Sequence, residues 1–261
     1  MYLRRSISLK EWWPWYNKIT NAFGYDRSKD QLAADVLCRL IYGRAVDLQQ
    51  LRAKLSGRPI LVFGAGPSLE EDLHQIAKEN LLKKCAIVSA DGATTALLKL
   101  AKVIPDVVVT DLDGKINDLL RAESLGCVMV VHGHGDNIDR LRKYVPKLKN
   151  VIGTTQVKPR PNVYNFGGFT DGDRAVFLAV FMGAKLVALA GMDLGQVVGK
   201  YSKKRARSVE VKILKLKICK ELLEWLAFRV NVPLYNVTRY GEDIKGFVNI
   251  TCSELARIVE G

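Results

Sequence analysis

The sequence predicts an α/β fold in which a mostly parallel, doubly wound sheet carries helices on both faces. From Arg58 onward, short β-branched runs alternate with stretches whose apolar residues recur at helical spacing. The run "PILVFGAG" precedes a helix from Ser68, and "CAIVSADG" precedes a helix over Thr94–Ala101. This alternation is typical of repeated strand–helix–strand units, which place their strands in parallel.

The same alternation continues to the end of the chain. The further predicted strands lie in "DVVVTDLDG", "CVMVVHGHGDN", "NVIGTT", "NVYNF", "KLVALAGMD" and "PLYNVT". The further predicted helices are Asn117–Leu125, Asn137–Tyr144, Asp173–Met182, Val209–Val230 and one after Thr251. In such sheets ligands bind beyond the carboxyl ends of the strands, so the strand ends are the positions to search for function.

Residues 1–57 differ from the rest and predict an N-terminal helical subdomain, followed by a catalytic α/β domain over residues 58–261. Apolar residues at helical spacing indicate helices over Gln31–Leu40 and Asp47–Leu55. Trp12, Trp13 and Trp15 are interpreted as packing residues that hold this region on the sheet, and stacking on a flat substrate is the alternative.

Composition limits the class of protein. The chain has 261 residues, 48% of them hydrophobic, and a formal net charge of +13. No apolar run reaches the roughly 18 residues of a membrane helix, and five scattered cysteines indicate a reduced compartment, so we expect a cytoplasmic protein without a membrane partner. The positive charge fits a polyphosphate substrate, a nucleic acid or a Lys-rich surface; the sequence lacks nucleic-acid-binding signatures, so nucleic acid is not expected.

Acidic residues follow almost every predicted strand. Asp111 and Asp113 are two residues apart in "TDLDG", a spacing that aims both carboxylates to one side of an extended strand. Clustered carboxylates repel unless a cation lies between them, and Mg²⁺ accepts carboxylates together with substrate phosphates. The alternative is an Asp-Gly turn without a metal.

The segment "FGAGPSL" follows the first predicted strand. Gly64 and Gly66 allow a close approach of the backbone, and Ser68 is expected to cap the next helix. Free N–H groups at such a helix start suit a phosphate, whereas a tight strand–helix turn is the alternative.

The ordered motifs resemble those of the thiamin pyrophosphokinase group, which has a Rossmann-like core. The motifs are Asp91-Gly92, Pro105-Asp106, Asp111-x-Asp113, Asp136-x-x-Asp139 and "GGFTDGDRA". Together with "GAGPSL" and "AGMDLG", the chain over about residues 58–240 looks like an archaeal 6-hydroxymethyl-7,8-dihydropterin pyrophosphokinase. The resemblance implies Mg-dependent transfer of diphosphate from ATP to the pterin, giving AMP, in folate- or methanopterin-type cofactor biosynthesis.

The same resemblance, with the chemistry of phosphate transfer, assigns roles to individual residues. Asp111, Asp113 and Asp136 are expected to hold Mg²⁺ and to lie close together at the carboxyl edge of the sheet. The residues expected to bind ATP are Gly64, Gly66, Ser68, Asp91, Gly92, Thr170, Arg174, Lys200, Lys203 and Lys204. The basic stretch 199–208 is either a lid over the triphosphate or a solvated loop. His132 and His134 are either structural residues or contacts to phosphate or to the substrate hydroxyl.

Three alternative functions stay open at the level of sequence. They are thiamin diphosphokinase activity, transfer from a nucleotide-sugar on the same core, and non-catalytic binding of a nucleotide or RNA. The sequence is compatible with a homo-oligomer and does not decide the oligomeric state.

Overall fold

The computed structural model describes residues 7–195, 197, 199–201 and 208–261. Within these ranges no helix is both long and apolar enough to cross a membrane. The predicted ATP contacts Lys203 and Lys204 fall outside the described residues.

The centre of the molecule is a nine-stranded sheet, counted over the described residues, in which every neighbouring pair is parallel. The strands are β1 Pro59–Phe63, β2 Ala86–Ala90, β3 Val107–Thr110, β4 Val128–His132, β5 Val151–Thr154, β6 Val163–Tyr164, β7 Leu186–Ala190, β8 Leu234–Asn236 and β9 Val248–Asn249. Their spatial order is β6-β5-β4-β3-β2-β1-β7-β8-β9. The direction of winding therefore reverses between β1 and β7, which is where α/β sheets open a crevice for ligands.

Helices cover the sheet, and their bounds follow the periodicity of the sequence. The α-helices are α1 Leu9–Phe23, α2 Arg27–Ile41, α3 Leu48–Leu55, α4 Leu69–Lys78, α5 Leu81–Lys84, α6 Asp91–Ala96, α7 Ile116–Ser124, α8 Ile138–Tyr144, α9 Asp171–Met182, α10 Val209–Ala227 and α11 Cys252–Glu260. A π-helical turn, Leu97–Ala101, continues α6. Helix α9 is buried against the sheet along nearly its whole length, which explains why every residue after Arg174 in this helix is apolar.

The predicted α/β class and parallel sheet are confirmed. The differences are local: α5 and the two-residue β9 were not predicted, and α10 ends at Ala227 rather than near Val230. Short elements of this kind carry too few residues for a periodic signal.

The N-terminal region is helical and packs on the sheet through its tryptophans, as predicted. Trp12 is 1% exposed, and its indole N–H donates a hydrogen bond of 2.8 Å to the carbonyl of Gln156, just beyond β5. The ring of Trp15 makes an edge contact with Trp225 in α10, at 5.7 Å between ring centroids. Helix α2 lies against β5 and α8. The division into domains at residue 57 stays a prediction.

Trp12→Phe is expected to lower the free energy of unfolding by about 2–4 kcal/mol. The change leaves a void and removes the donor for a buried carbonyl, and both effects are costly. Trp13→Phe is the matched control, because Trp13 is only partly buried and its described ring contact is with Tyr16. Urea unfolding of both variants checks the prediction, and equal losses would contradict it.

Candidate functional site

A cavity of about 690 Å³ opens at the carboxyl edge of the sheet. The loops after β1, β2, β3, β4, β5 and β7 all contribute to its wall, and the turn between α1 and α2 closes one side. Pockets of this volume accommodate ligands of nucleotide size.

Three carboxylates meet beside this cavity. Asp91, Asp111 and Asp113 each offer one oxygen, and these oxygens all lie within 4.8 Å of one another. Asp91 follows β2 directly, and the other two follow β3. Because β2 and β3 are parallel neighbours, their carboxyl ends bring the three side chains to one point. Oxygen donors at this spacing suit a hard divalent cation.

Asp91 is the buried member of the cluster and is held firmly. It is 1% exposed, and its Oδ2 accepts hydrogen bonds from the hydroxyl of Thr110 at 2.5 Å and from the backbone N–H of Gly114 at 3.1 Å. A Cβ atom added at Gly114 would lie 1.7 Å from Asp91 Oδ1. The glycine of "DLDG" is therefore required by the close approach of Asp91.

Asp111 and Asp113 come together for a different reason from the one that the sequence predicts. The strand ends at Thr110, so the alternation of an extended strand does not apply. Instead, the intervening Leu112 adopts a left-handed conformation with φ of 64°, and the N–H of Asp113 donates to Asp111 Oδ1 at 3.2 Å. A non-glycine residue in this region is uncommon and often marks a functional loop.

Asp136 does not belong to the carboxylate cluster, in which Asp91 lies with Asp111 and Asp113 instead. It is exposed in a short 3₁₀ turn, Gly135–Asn137, at the rim of the cavity. Its backbone N–H donates to His134 Nδ1, which leaves the protonated Nε2 of His134 3.4 Å from Asp111 Oδ2. The loop after β4 thus presents a histidine, rather than a carboxylate, to the cluster.

Arg174 and His132 form a buried support beneath the site. Arg174 is fully buried and donates to the carbonyls of Gly167 and Phe169 and to His132 Nε2. Burial, followed by the neighbouring Arg174 charge, lowers the pKa of His132 well below its ordinary value, so the ring is neutral. Arg174 was predicted to contact phosphate; its guanidinium is instead enclosed by protein groups.

The β1 and β7 loops approach each other closely at the crevice, where Gly64 and Gly66 line the cavity. A Cβ atom at Gly64 would lie 2.6 Å from the carbonyl of Gly191, and one at Gly66 would lie 1.9 Å from Asp193 Oδ2. The N–H of Ser68 donates to the carboxylate of Asp193 at 3.2 Å. The predicted phosphate position at this helix start is therefore filled by an internal carboxylate, and the predicted side-chain cap by Ser68 is wrong.

The Ser68 hydroxyl instead links two buried carboxyl groups. Its Oγ lies 2.9 Å from Asp72 Oδ2 and 3.0 Å from Asp193 Oδ2. The hydroxyl carries one hydrogen, so a proton on a carboxyl group completes the second hydrogen bond. Burial raises the pKa of Asp72 to about 6, so Asp72 carries that proton below this pH.

We expect the carboxyl ¹³C signal of Asp72 to titrate with a midpoint near pH 6. The folded chain then keeps a proton that the unfolded chain loses near pH 4, so the free energy of unfolding falls as pH rises between these values. A shift of about two units corresponds to at most about 3 kcal/mol. Asp139, whose side chain is fully exposed, is the internal control. A midpoint for Asp72 at or below that of Asp139 would contradict the assignment.

The other predicted ATP contacts lie in two places. Gly92 and Thr170 line the cavity, and the Thr170 hydroxyl donates to Asp173 Oδ1 at 2.5 Å. Lys200 lies outside the cavity wall and pairs with Glu70 at 2.9 Å. Beside it, the carbonyl of Tyr201 would lie 2.3 Å from a Cβ atom at Gly92, so this end of the basic stretch packs on the β2 loop.

Two residues that shape the site, Asp30 and Asn137, were missed by sequence reasoning. Asp30 is 4% exposed, accepts from Tyr16 Oη and the N–H of Gly135 at 2.8 Å each, and comes from the N-terminal region. The sequence signal for Asp30 was its position as a carboxylate on the otherwise apolar face of α2. Asn137 donates to the carbonyls of Asp111 and His132 and so ties two strand ends together; no sequence signal marks it.

Comparison with known proteins shows which family this fold and site belong to. The family model described as 6-hydroxymethylpterin diphosphokinase MptE-like matches residues 40–199. Three curated relatives named 6-hydroxymethyl-7,8-dihydropterin pyrophosphokinase support the match. The relative from Pyrococcus furiosus is 47% identical over 83% of this chain and 93% of its own length. The relative from Methanothermobacter thermautotrophicus is 44% identical over 84% of this chain and 95% of its own length. The relative from Methanocaldococcus jannaschii is 40% identical over 87% of this chain and 98% of its own length. These matches define an α/β enzyme of the diphosphotransferase class. The chain belongs to the MptE-like family.

One solved structure supports the fold alone. A MAf glycosyltransferase from Magnetospirillum magneticum AMB-1 is similar with a TM-score of 0.51 and 16% identity. The match covers 86% of this chain, which spans 38% of the length of the glycosyltransferase. A shared core at this identity does not fix the reaction.

Proposed function

We propose that the chain transfers the terminal diphosphate of ATP to 6-hydroxymethyl-7,8-dihydropterin, giving the pterin diphosphate and AMP. The observation that carries the proposal is the cluster of Asp91, Asp111 and Asp113 at the carboxyl edge of the sheet, beside a cavity of nucleotide size. The names of the relatives support the pterin as acceptor.

The reaction makes two physical demands. The hydroxyl oxygen of the acceptor bonds to the β-phosphorus while the bond from that phosphorus to the bridging α,β-oxygen breaks, and AMP leaves. The acceptor hydroxyl loses its proton in the process. The attacking oxygen must therefore lie in line with the breaking bond, and the negative charge of the triphosphate must be neutralised.

The carboxylate cluster fits Mg²⁺. Three oxygen donors within 4.8 Å match the preference of this ion for carboxylates plus water and phosphate oxygens. Asp91, Asp111 and Asp113 would hold it, and when bound it neutralises phosphate charge. His134 orients Asp111 through the contact of 3.4 Å, and Thr110 and Gly114 fix Asp91.

Cationic side chains supply the remaining positive charge. Four of them line the same cavity: Lys29, Arg140, Lys212 and Lys215. They lie on three elements, α2, α8 and α10, so together they surround a ligand rather than form one solvated stripe. We assign them to the triphosphate, in place of the buried Arg174.

Product analysis tests the proposal directly. The purified protein is mixed with ATP, Mg²⁺ and either the dihydropterin or thiamin, and the nucleotides are separated by chromatography. AMP formed only with the dihydropterin is the expected result. AMP formed only with thiamin would show that the pterin is not the acceptor. Formation of ADP would contradict transfer of a diphosphate. Turnover of a nucleotide-sugar alone would favour a sugar transferase.

A further inference from the structure

The cavity has a second end with a different chemistry. Phe23, the last residue of α1, and Tyr25, in the turn that follows, stack at 5.4 Å between ring centroids, and the ring of Phe169 lies 5.2 Å from that of Phe23. All three rings line the cavity. The ammonium group of Lys215 lies 5.7 Å from the Phe169 ring and 5.9 Å from the Phe23 ring. An aromatic wall of this kind binds flat rings by stacking.

Gln156 lines the same cavity and has a side-chain amide oxygen that is not satisfied within the protein. Its side chain is 3% exposed, and its Oε1 is buried without a hydrogen-bond partner. Gln156 lies directly beyond β5. Buried side-chain oxygens nearly always accept a hydrogen bond, so an orphaned one in a ligand cavity points to a donor supplied by the ligand.

The position of Gln156 is fixed from the other side. Its backbone carbonyl accepts the 2.8 Å hydrogen bond from Trp12, which is itself buried. The residue is thus held by the N-terminal region before any ligand arrives. Such preorganisation is what a recognition group needs, because less freedom is lost on binding.

We infer that the aromatic end of the cavity binds the flat heterocycle of the acceptor and that Gln156 recognises an N–H group on its edge. The inference rests on the proposed function, and it names the specificity-determining residue of that site. A pterin ring carries an amide-like edge, with an N–H beside a carbonyl, that complements a primary amide. The rings stack, Gln156 sets the orientation of the heterocycle, and the hydroxymethyl group points toward the carboxylate cluster.

Gln156→Met tests the inference, with Thr154→Val as the matched control. Methionine keeps the length of the side chain and removes the amide. Thr154 also has a buried hydroxyl oxygen without a partner, but it lies two residues earlier in β5 and does not line the cavity. We expect Gln156→Met to raise the KM of the acceptor at least about tenfold, to leave the KM of ATP within about twofold, and to melt no earlier than the parent. Thr154→Val should change neither KM.

Direct binding separates failure of this inference from failure of the proposed function. The oxidised, fluorescent 6-hydroxymethylpterin is titrated into each protein without ATP, and its analogue methylated at the ring N–H is titrated into the parent. The parent should bind the unmethylated pterin at least about tenfold more tightly than Gln156→Met does, and more tightly than it binds the analogue. Equal affinities would overturn the role of Gln156 even if the parent makes AMP. If the parent makes no AMP but discriminates as expected, the diphosphate transfer fails and the recognition site stands.

Discussion

Asp113→Asn is expected to lower diphosphate transfer about 10³-fold without destabilising the protein. The substitution keeps the size of the side chain and removes one of three carboxylate charges that lie within 4.8 Å. Loss of a carboxylate that holds the metal should raise the activation free energy by about 4 kcal/mol, which corresponds to a 10³-fold lower rate. In the metal-free protein the change relieves repulsion between like charges, so the melting temperature should stay the same or rise slightly.

Two further carboxylates serve as controls for this variant. Asp139→Asn makes the same chemical change at a fully exposed side chain and should leave turnover at the parent rate. Asp136→Asn distinguishes the metal ligands predicted from the sequence from the carboxylates that the structure brings together. Its loss of activity should be far smaller than that of Asp113→Asn. An Asp113→Asn protein that melts earlier than the parent, yet turns over normally, would identify "DLDG" as a structural turn.

Gly114→Ala is expected to damage both activity and stability. Because its Cβ atom would lie 1.7 Å from Asp91 Oδ1, either the loop or the Asp91 side chain must move. Asp91 would then lose its bond from the N–H of residue 114, and the cluster would lose its geometry. We expect at least a 10²-fold fall in turnover, since small displacements in a positioned site have this effect. The free energy of unfolding should fall by about 1–3 kcal/mol.

Gly195→Ala is the matched control for this substitution. Gly195 does not have a positive φ, and a Cβ atom there would meet nothing closer than the carbonyl of Asp193 at 3.9 Å. Activity assays and urea unfolding of both variants give the comparison. A Gly114→Ala protein with normal turnover would show that Asp91 need not occupy its observed position.

The sequence predicted the fold well because the signal was regular. Nearly every strand is a short β-branched run, and nearly every helix carries periodic apolar residues, so the order of elements followed directly. The clustering of acids at one edge also followed, because parallel strands end on the same side. What periodicity does not encode is the path of each loop beyond its strand.

The errors at the site arose in those loops. Asp136 was placed in the cluster because it follows β4, yet the chain turns after His132 and brings His134 there instead. Ser68 and Arg174 were assigned to phosphate by residue type, but both interact with buried groups of the protein itself. Neither outcome is visible without the tertiary structure, since Asp193 lies 125 residues from Ser68.

The aromatic and amide groups of the cavity were missed for a related reason. Phe23 and Tyr25 lie at the end of α1 and in the turn after it, whereas Gln156 follows β5, far away along the chain. Contacts between remote segments leave no local pattern. The tryptophan cluster was the one sequence signal that this region packs against the sheet, and its packing role is confirmed.

The position of a divalent ion tests the central claim most directly. Crystals grown with Mn²⁺ and a non-hydrolysable ATP analogue would show the ion as a peak in an anomalous difference map. The account predicts a peak within coordinating distance of the carboxylates of Asp91, Asp111 and Asp113, with the phosphates of the analogue beside it. Bound nucleotide with no peak at these carboxylates, or with the peak at Asp136, would contradict the account.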